Sequence, residues 1–196
     1  MVIVGLTGGI GSGKTTISKH FESFGIPIYN ADKEAKALMK RSKVIKRKLI
    51  ELFGKDTYKE GDLNRSYLSS RIFSDQNLLK KMNAIVHPKV ASHFKRWVKK
   101  QNSPYIIKEA AIIFENQLEN QYDYIIIVIA DENLRIERVT KRDGASTKKV
   151  KSIMKNQLPD SEKIKKADFI IQNNELNTAK KQADGIHQKI LHKISG

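Results

Sequence analysis

Eight consecutive residues near the start of the chain have the spacing of a loop that binds phosphate groups. Residues 8–15 read Gly-Gly-Ile-Gly-Ser-Gly-Lys-Thr, which fits the pattern G-x-x-x-x-G-K-[ST]. In this pattern the glycines let backbone N–H groups turn inward, the lysine reaches the β- and γ-phosphates, and the final hydroxyl binds Mg²⁺. The sequence therefore predicts a site for ATP or a close relative with Mg²⁺, formed by Gly8, Gly9, Gly11, Ser12, Gly13, Lys14, Thr15 and Thr16.

The residues on both sides of this pattern predict the elements that such a loop needs. Residues 2–6 are apolar and predict a buried strand, and Ile17, Phe21 and Phe24 recur at helical spacing after the loop. A loop between a strand and an amphipathic helix presents the helix N-terminus to the phosphates. This context favours phosphate binding over a glycine-rich turn that binds nothing.

The hydrophobic pattern of the remaining chain predicts an α/β fold with a parallel sheet. Further strands are expected at 26–29, 104–110, 122–129 and 167–173, and helices at 33–41, 132–142, 147–157 and 178–194. Residues 44–100 have helical patterns only, at 44–53, 64–73, 77–85 and 87–99. Such a helical block between two strands is most simply a lobe that holds a second substrate.

Charged residues at the ends of the predicted elements could take part in phosphoryl transfer. Asp32 follows the second strand, where an acceptor hydroxyl would lie, although it could instead be the N-cap of a helix that starts at Lys33. Arg138 and Arg142 are four residues apart on one helix, so they could clamp a phosphoryl group or form a solvated helix face. Glu109 ends an apolar strand and could bind Mg²⁺ through water, or be a simple strand-end carboxylate.

The composition is strongly basic, which raises the question of nucleic-acid binding. The formal net charge is +16, from 37 lysines and arginines against 21 acidic residues. These cations are spread along most of the chain and do not alternate with aromatic residues, so we interpret them as a solvated surface. A basic switch protein that binds nucleic acid remains the non-enzyme alternative.

Cysteine is absent, and the longest apolar run is short. Without cysteine the chain has neither disulfides nor Cys-ligated metals, which fits a cytoplasmic location. The apolar run at 125–130 is far below the roughly 20 residues that a membrane helix needs. We expect a cytoplasmic protein that does not insert in a membrane.

The chain contains a succession of motifs, at 6–16, 30–32, 71–73, Asn83, 87–88, 111–115, Arg138, 142–143, Gln157 and 167–173. In their order, and over essentially the whole chain, these motifs resemble the dephospho-CoA kinase family. Asn30 stands where the family has aspartate, Ala111 where it has proline, and Thr15 where serine is commoner. The first change matters most, because a carboxamide cannot accept a proton as a carboxylate can.

The resemblance implies a three-layer α/β/α P-loop kinase fold with a five-stranded parallel sheet, a helical substrate-binding insertion and a small helical lid. It implies one domain, with the core at 1–32, 103–140 and 166–196, the insertion at about 33–102 and the lid at about 141–165. The implied partners are ATP and dephospho-CoA, with Mg²⁺, no specific nucleic acid and no membrane, in a monomer or small homo-oligomer. Another nucleoside or nucleotide kinase is the enzyme alternative.

The resemblance also implies a role for each candidate residue. Asp32 would orient and deprotonate the ribose 3′-hydroxyl, and Lys14, Arg142, Arg138 and Mg²⁺ on Thr15 would stabilise the transferring phosphoryl group. Gln157 and Asn173 would be neighbours of the adenine. The residues that would bind the acceptor substrate are Thr7, Asp32, Arg71, Asn83, His87 and Glu115.

Overall fold

The architecture was obtained as a computed structural model that gives the backbone of residues 1–196 and all side chains except those of Phe73, Ser74 and Gln76. The chain divides into two units, one formed by residues 1–30 together with 101–196, and the other by residues 31–100. Among the described helices, none is both long enough and apolar enough to span a membrane.

The first unit is built on a parallel five-stranded sheet, which confirms the predicted fold class. Its strands are β1 (Val2–Thr7), β2 (Ile28–Asn30), β5 (Tyr105–Glu109), β6 (Tyr124–Ile129) and β7 (Phe169–Gln172). They lie in the order β2-β5-β1-β6-β7, and every neighbouring pair is parallel. Because parallel strands place their carboxyl ends at one edge, the ends of β1, β2 and β5 meet where a ligand can bind.

Helices cover both faces of this sheet. They are α1 (Lys14–Glu22), α6 (Glu132–Asp143), α7 (Thr147–Lys155), α8 (Asp160–Ile164) and α9 (Leu176–Ser195). Ile17 and Phe21 of α1 and Ala179 and Ala183 of α9 pack in one core with the strands. On the other face Ile125 of β6 packs with residues near α8, a short helix that the sequence pattern did not predict.

The second unit contains four α-helices, a 3₁₀ helix at Lys55–Thr57 and a short hairpin. The α-helices and strands are α2 (Ala31–Arg41), α3 (Lys43–Phe53), β3 (Tyr58–Lys59), β4 (Asp62–Leu63), α4 (Arg65–Ser74) and α5 (Gln76–Val98). The hairpin was not predicted, because its turn is formed by Glu60 and Gly61 rather than by the Asn-Gly or Asp-Gly pair that marks such turns. Both turn residues have positive φ, 50° and 86°, as the type I′ turn of a two-residue hairpin requires.

The prediction of two helices at 77–85 and 87–99 is wrong, because α5 continues through Pro88. A proline in a helix interior removes one hydrogen bond and costs about 3 kcal/mol. The buried residues Val86, Val90 and Phe94 continue one apolar stripe across the proline, and α5 packs along α2, α3 and α4. The burial of that stripe offsets the local cost, so the helix is not interrupted.

Candidate active site

The phosphate-binding loop connects β1 to α1 and is already curved around an inner space. Gly11 and Gly13 have φ of 79° and 92°, a backbone conformation that side-chain-bearing residues rarely adopt. The ammonium of Lys14 donates to the carbonyl oxygens of Gly8 at 2.7 Å and Gly9 at 3.2 Å. Helix α1 begins at Lys14 with no side-chain cap at Gly13, and a helix N-terminus of this kind suits an anion.

A buried carboxylate connects the start of α1 to the end of β5. Glu109, 5% exposed, accepts hydrogen bonds from Thr15 Oγ1 and Ser18 Oγ, each at 2.9 Å. A hydroxyl beside a carboxylate is a set of oxygen donors that suits Mg²⁺, which keeps several water ligands and binds few protein groups. The arrangement therefore fits the predicted magnesium position. Among the described side chains, no group of three His, Cys, Asp or Glu residues could hold a metal by itself.

A cavity of about 530 Å³ opens beside the loop and is large enough for a nucleotide. It brings together residues that the sequence analysis selected from three separate segments of the first unit. Its lining also contains Leu176, at the start of α9, which is 41% exposed and was not predicted. The lining residues are Gly11, Gly13, Lys14, Thr15, Thr16, Arg138, Arg142, Asn173 and Leu176.

The two predicted arginines of α6 both line this cavity, but they differ in their surroundings. Arg142 donates two hydrogen bonds of 2.7 Å to Asp143, which raise the pKa of Arg142 and lower that of Asp143. Arg138 instead has a buried nitrogen, Nη1, without a hydrogen-bond partner among the described residues. A buried guanidinium N–H at a cavity wall is a donor that suits a phosphate oxygen.

Asn173 and Gln157, the two predicted adenine neighbours, lie in different places. Asn173 is buried in the wall of the 530 Å³ cavity, where its Nδ2 donates to the backbone oxygen of Ser12 at 2.8 Å. Gln157 instead accepts a hydrogen bond of 2.9 Å from the backbone N–H of Ile10. Its side chain lines two other cavities, of about 600 and 540 Å³. The structure therefore does not bring Gln157 to the cavity that contains Asn173.

Arg135 contacts the loop directly and was missed by the sequence analysis. Its Nε donates to the backbone oxygen of Ile10 at 2.9 Å, and its Nη1 donates to Asp160 at the same distance. A Cβ atom on Gly9 would lie 2.0 Å from Nη2 of Arg135, so a larger residue there would require the guanidinium of Arg135 to move. The sequence did contain a signal for this residue. Arg135 is three residues before Arg138 and seven before Arg142, a spacing that places all three on one helix face.

Two predicted acceptor contacts belong to the first unit, and both have protein partners. Thr7, at the end of β1, is fully buried and its hydroxyl donates to the backbone oxygen of Ala111 at 3.4 Å. Glu115 lies 2.8 Å from the ammonium of Lys163 and accepts from the backbone N–H of Leu158 at 3.2 Å. Their proposed contacts with a substrate stay predictions.

The other predicted acceptor contacts belong to the second unit. Asp32 is exposed in the first turn of α2, which begins at Ala31. The alternative interpretation of Asp32 as the N-cap of a helix that starts at Lys33 is therefore wrong. Arg71 is exposed on α4, and Asn83 and His87 are one turn apart on α5. The structure does not describe the side chain of Phe73, the last residue of the motif at 71–73.

The strand order and the loop between β1 and α1 define the class of this protein as a P-loop kinase. The chain matches the dephospho-CoA kinase family over residues 2–178. A dephospho-CoA kinase of Bacteroides fragilis is 36% identical over 171 residues, which cover 87% of this chain and 83% of that protein. The chain belongs to the dephospho-CoA kinase family, and is an enzyme with ATP as co-substrate.

Two solved structures share this fold, and one of them is named as a dephospho-CoA kinase. A dephospho-CoA kinase from Campylobacter jejuni has a TM-score of 0.70 at 25% identity, over 96% of both chains. A crystal structure of a Thermus thermophilus protein is more similar, with a TM-score of 0.88 at 29% identity, and covers 100% of this chain and 98% of that one.

Proposed function

We propose that this enzyme transfers the γ-phosphoryl group of ATP to the ribose 3′-hydroxyl of dephospho-CoA, giving coenzyme A and ADP. The observation that carries the proposal is the preformed phosphate loop beside a nucleotide-sized cavity, in a chain of the dephospho-CoA kinase family. This reaction is the last step of coenzyme A biosynthesis.

The donor half of the reaction is assigned to the first unit. Lys14, whose ammonium now donates to two loop carbonyls, would exchange them for β- and γ-phosphate oxygens. Arg138 has a buried N–H donor at the cavity wall, and Arg142 lies one turn further along. These cations would stabilise the negative charge that spreads over the γ-phosphoryl oxygens as the bond to the β-phosphate breaks.

We assign Mg²⁺ to the Thr15 hydroxyl, with Glu109 as a contact through water. The hydrogen bond between these side chains supports the assignment, because it holds both oxygens on one side of the loop. When bound, Mg²⁺ would neutralise the β- and γ-phosphates. Glu109 is only 5% exposed and also accepts a hydrogen bond from Ser18, so its carboxylate is held in one position.

The acceptor half is assigned to Asp32, with Arg71, Asn83 and His87 as further contacts of dephospho-CoA. Asp32 would accept the 3′-hydroxyl proton as the ribose oxygen attacks phosphorus and ADP leaves with the electron pair. Asn30 is the last residue of β2 and pairs with Glu109 in the sheet. Asp32 lies two residues further along the chain. Asn30 cannot take the proton, so the base role rests on Asp32 alone.

The direct test is a kinase assay with dephospho-CoA and, in parallel, a panel of nucleosides and nucleoside monophosphates. We expect turnover with dephospho-CoA and a product phosphorylated at the 3′-position, identified by mass and by nuclease sensitivity. Turnover of a nucleotide without turnover of dephospho-CoA would contradict the proposal.

The role of Asp32 can be tested with Asp32→Asn and a matched control, Asp56→Asn, an exposed aspartate of the same unit. Because general-base catalysis contributes about 10²- to 10⁴-fold, kcat should fall by at least about 100-fold while ADP binding stays intact. Asp56→Asn should retain the kcat of the unmodified enzyme. An unchanged kcat in Asp32→Asn would show that another group takes the proton.

We further propose a cytoplasmic monomer or small homo-oligomer without a specific nucleic-acid ligand. Weak binding to mixed DNA or RNA that disappears at physiological salt would support this, since non-specific contacts to phosphates weaken as salt rises. Tight binding that persists there would contradict it.

A further inference from the structure

Ile10, in the middle of the phosphate loop, is held by side chains that are distant in sequence. Its N–H donates to Gln157 Oε1 and its carbonyl oxygen accepts from Arg135 Nε, both at 2.9 Å. The partners are 147 and 125 residues away in the chain. The two backbone polar groups of one loop residue are therefore both satisfied by side chains from the region of α6 to α8.

The side chain of Ile10 makes a third connection to the same region. It packs against a small apolar cluster formed by Ile136 and Val139 of α6 and Val150 of α7. The N–H, the carbonyl oxygen and the side chain of Ile10 therefore all contact residues that follow β6 in the chain. The turn at Ile10 cannot shift without breaking these contacts.

Arg135 is itself fixed, so it can act as a rigid support. Its side chain is 10% exposed, and its Nη1 lies 2.9 Å from Asp160 Oδ2, at the start of α8. The fork of the guanidinium, which can donate in two directions at once, connects the loop carbonyl to that carboxylate. Lysine would not reproduce this arrangement, because its three donors are on one nitrogen, whereas the two contacts of Arg135 use two separate nitrogens, Nε and Nη1.

The segment that supplies Gln157 and Asp160 is attached to the core of the first unit. Between these residues, the N–H of Leu158 donates to Glu115, and the same carboxylate lies 2.8 Å from the buried ammonium of Lys163. These contacts fix the turn between α7 and α8, and with it the position from which Gln157 reaches the loop.

We propose that Gln157 and Arg135 are positioning residues that hold the phosphate loop in its nucleotide-binding shape, with Asp160 orienting Arg135. A loop with several glycines loses much conformational entropy when it is ordered around phosphates. Contacts that order the loop before ATP arrives remove that cost from binding. The inference rests on the proposed function only in taking ATP and ADP as the nucleotides, and it concerns their affinity rather than the acceptor.

Substitutions of Gln157 separate the hydrogen bond from the volume of the side chain. Gln157→Met removes the acceptor at similar size, and Gln157→Glu keeps an oxygen at the same position. Gln188→Met makes the same chemical change on an exposed position of α9 and serves as the control. We expect Gln157→Met to raise the dissociation constant of ADP about fivefold, the typical net value of one neutral hydrogen bond. Gln157→Glu and Gln188→Met should stay within twofold of the unmodified enzyme.

The second variant addresses Arg135. Arg135→Lys keeps the positive charge but removes the fork of two nitrogens that joins the Ile10 carbonyl to Asp160. We expect ADP to bind at least about tenfold more weakly, since charge-assisted hydrogen bonds are the stronger kind. For both residues the KM for ATP should rise in step with the ADP constant. The KM for dephospho-CoA should not change.

Isothermal titration calorimetry with ADP provides the decisive measurement, because it needs neither the acceptor nor turnover. Circular dichroism and thermal unfolding of each variant show whether it folds. The inference is overturned if folded Gln157→Met and Arg135→Lys bind ADP within twofold of the unmodified enzyme, or if Gln157→Glu is as weak as Gln157→Met. If dephospho-CoA is not phosphorylated, the proposed function fails while this titration still decides the role of the loop contacts.

Discussion

Replacing Lys163 by methionine would leave the carboxylate of Glu115 without its cation in the interior of the first unit. The Lys163 side chain is fully buried and that of Glu115 is 13% exposed. The ammonium lies 2.8 Å from Oε1 but makes no aligned hydrogen bond with a described residue, so their attraction is mainly between the charges. Removing one partner of a buried ion pair costs about 3 to 5 kcal/mol.

The small exposure of Glu115 allows some hydration of the carboxylate, so we take the lower end of that range, about 3 kcal/mol. For a chain of this length each kcal/mol shifts the unfolding midpoint by about 2–4 °C, which predicts a loss of about 6–12 °C. The matched control is Lys165→Met, which removes an exposed cation from its ion pair with Glu162 and should cost less than about 1 kcal/mol.

Differential scanning calorimetry and urea unfolding of both variants measure the difference. The double variant Lys163→Met/Glu115→Gln should recover at least half of the loss, because the neutral amide keeps an oxygen that can accept from the Leu158 N–H. The reasoning fails if Lys163→Met is within about 0.5 kcal/mol of the unmodified protein, or if the double variant is no more stable than the single one.

Three further outcomes are expected. Gly9→Ala would place a Cβ atom 2.0 Å from the Arg135 guanidinium and should destabilise the protein by about 1–3 kcal/mol, measured by urea unfolding; a neutral effect would contradict the close approach. Glu109→Gln should raise the Mg²⁺ concentration needed for half-maximal kcat, because an amide oxygen is a weaker acceptor than a carboxylate for metal-bound water; an unchanged Mg²⁺ titration would exclude this role. Burial lowers the pKa of His187, so as the pH falls the unfolded chain takes up this proton first, and the free energy of unfolding should decrease below about pH 6.5. His187→Gln should flatten that slope in pH-dependent unfolding, and an unchanged slope would contradict the reasoning.

Local sequence was sufficient to predict the parts of the site that depend on neighbouring residues. Gly11, Gly13 and Lys14 curve the loop and place the cation through backbone conformation alone, so their spacing is readable without the fold. The apolar run at 125–130 likewise predicted a buried strand at 122–129, because a strand buried on both faces needs no alternation of polar residues, and the structure has it at Tyr124–Ile129.

Where local rules compete with packing, sequence reasoning was less successful. Pro88 is a strong signal for the end of a helix, yet α5 passes through it because Val86, Val90 and Phe94 are buried on one side. The cost of a proline is local and can be estimated from the sequence, whereas the burial that offsets it depends on neighbouring helices.

The sequence by itself determined that this protein has a phosphate loop between a strand and a helix, and its motifs indicated the dephospho-CoA kinase family. Only the tertiary structure decided that Arg135 and Gln157 support Ile10 of that loop, and that Glu115 pairs with Lys163. A glycine-rich turn is encoded by adjacent residues, so it is visible in the chain. A hydrogen bond between residues more than 100 positions apart depends on the packing of every element between them.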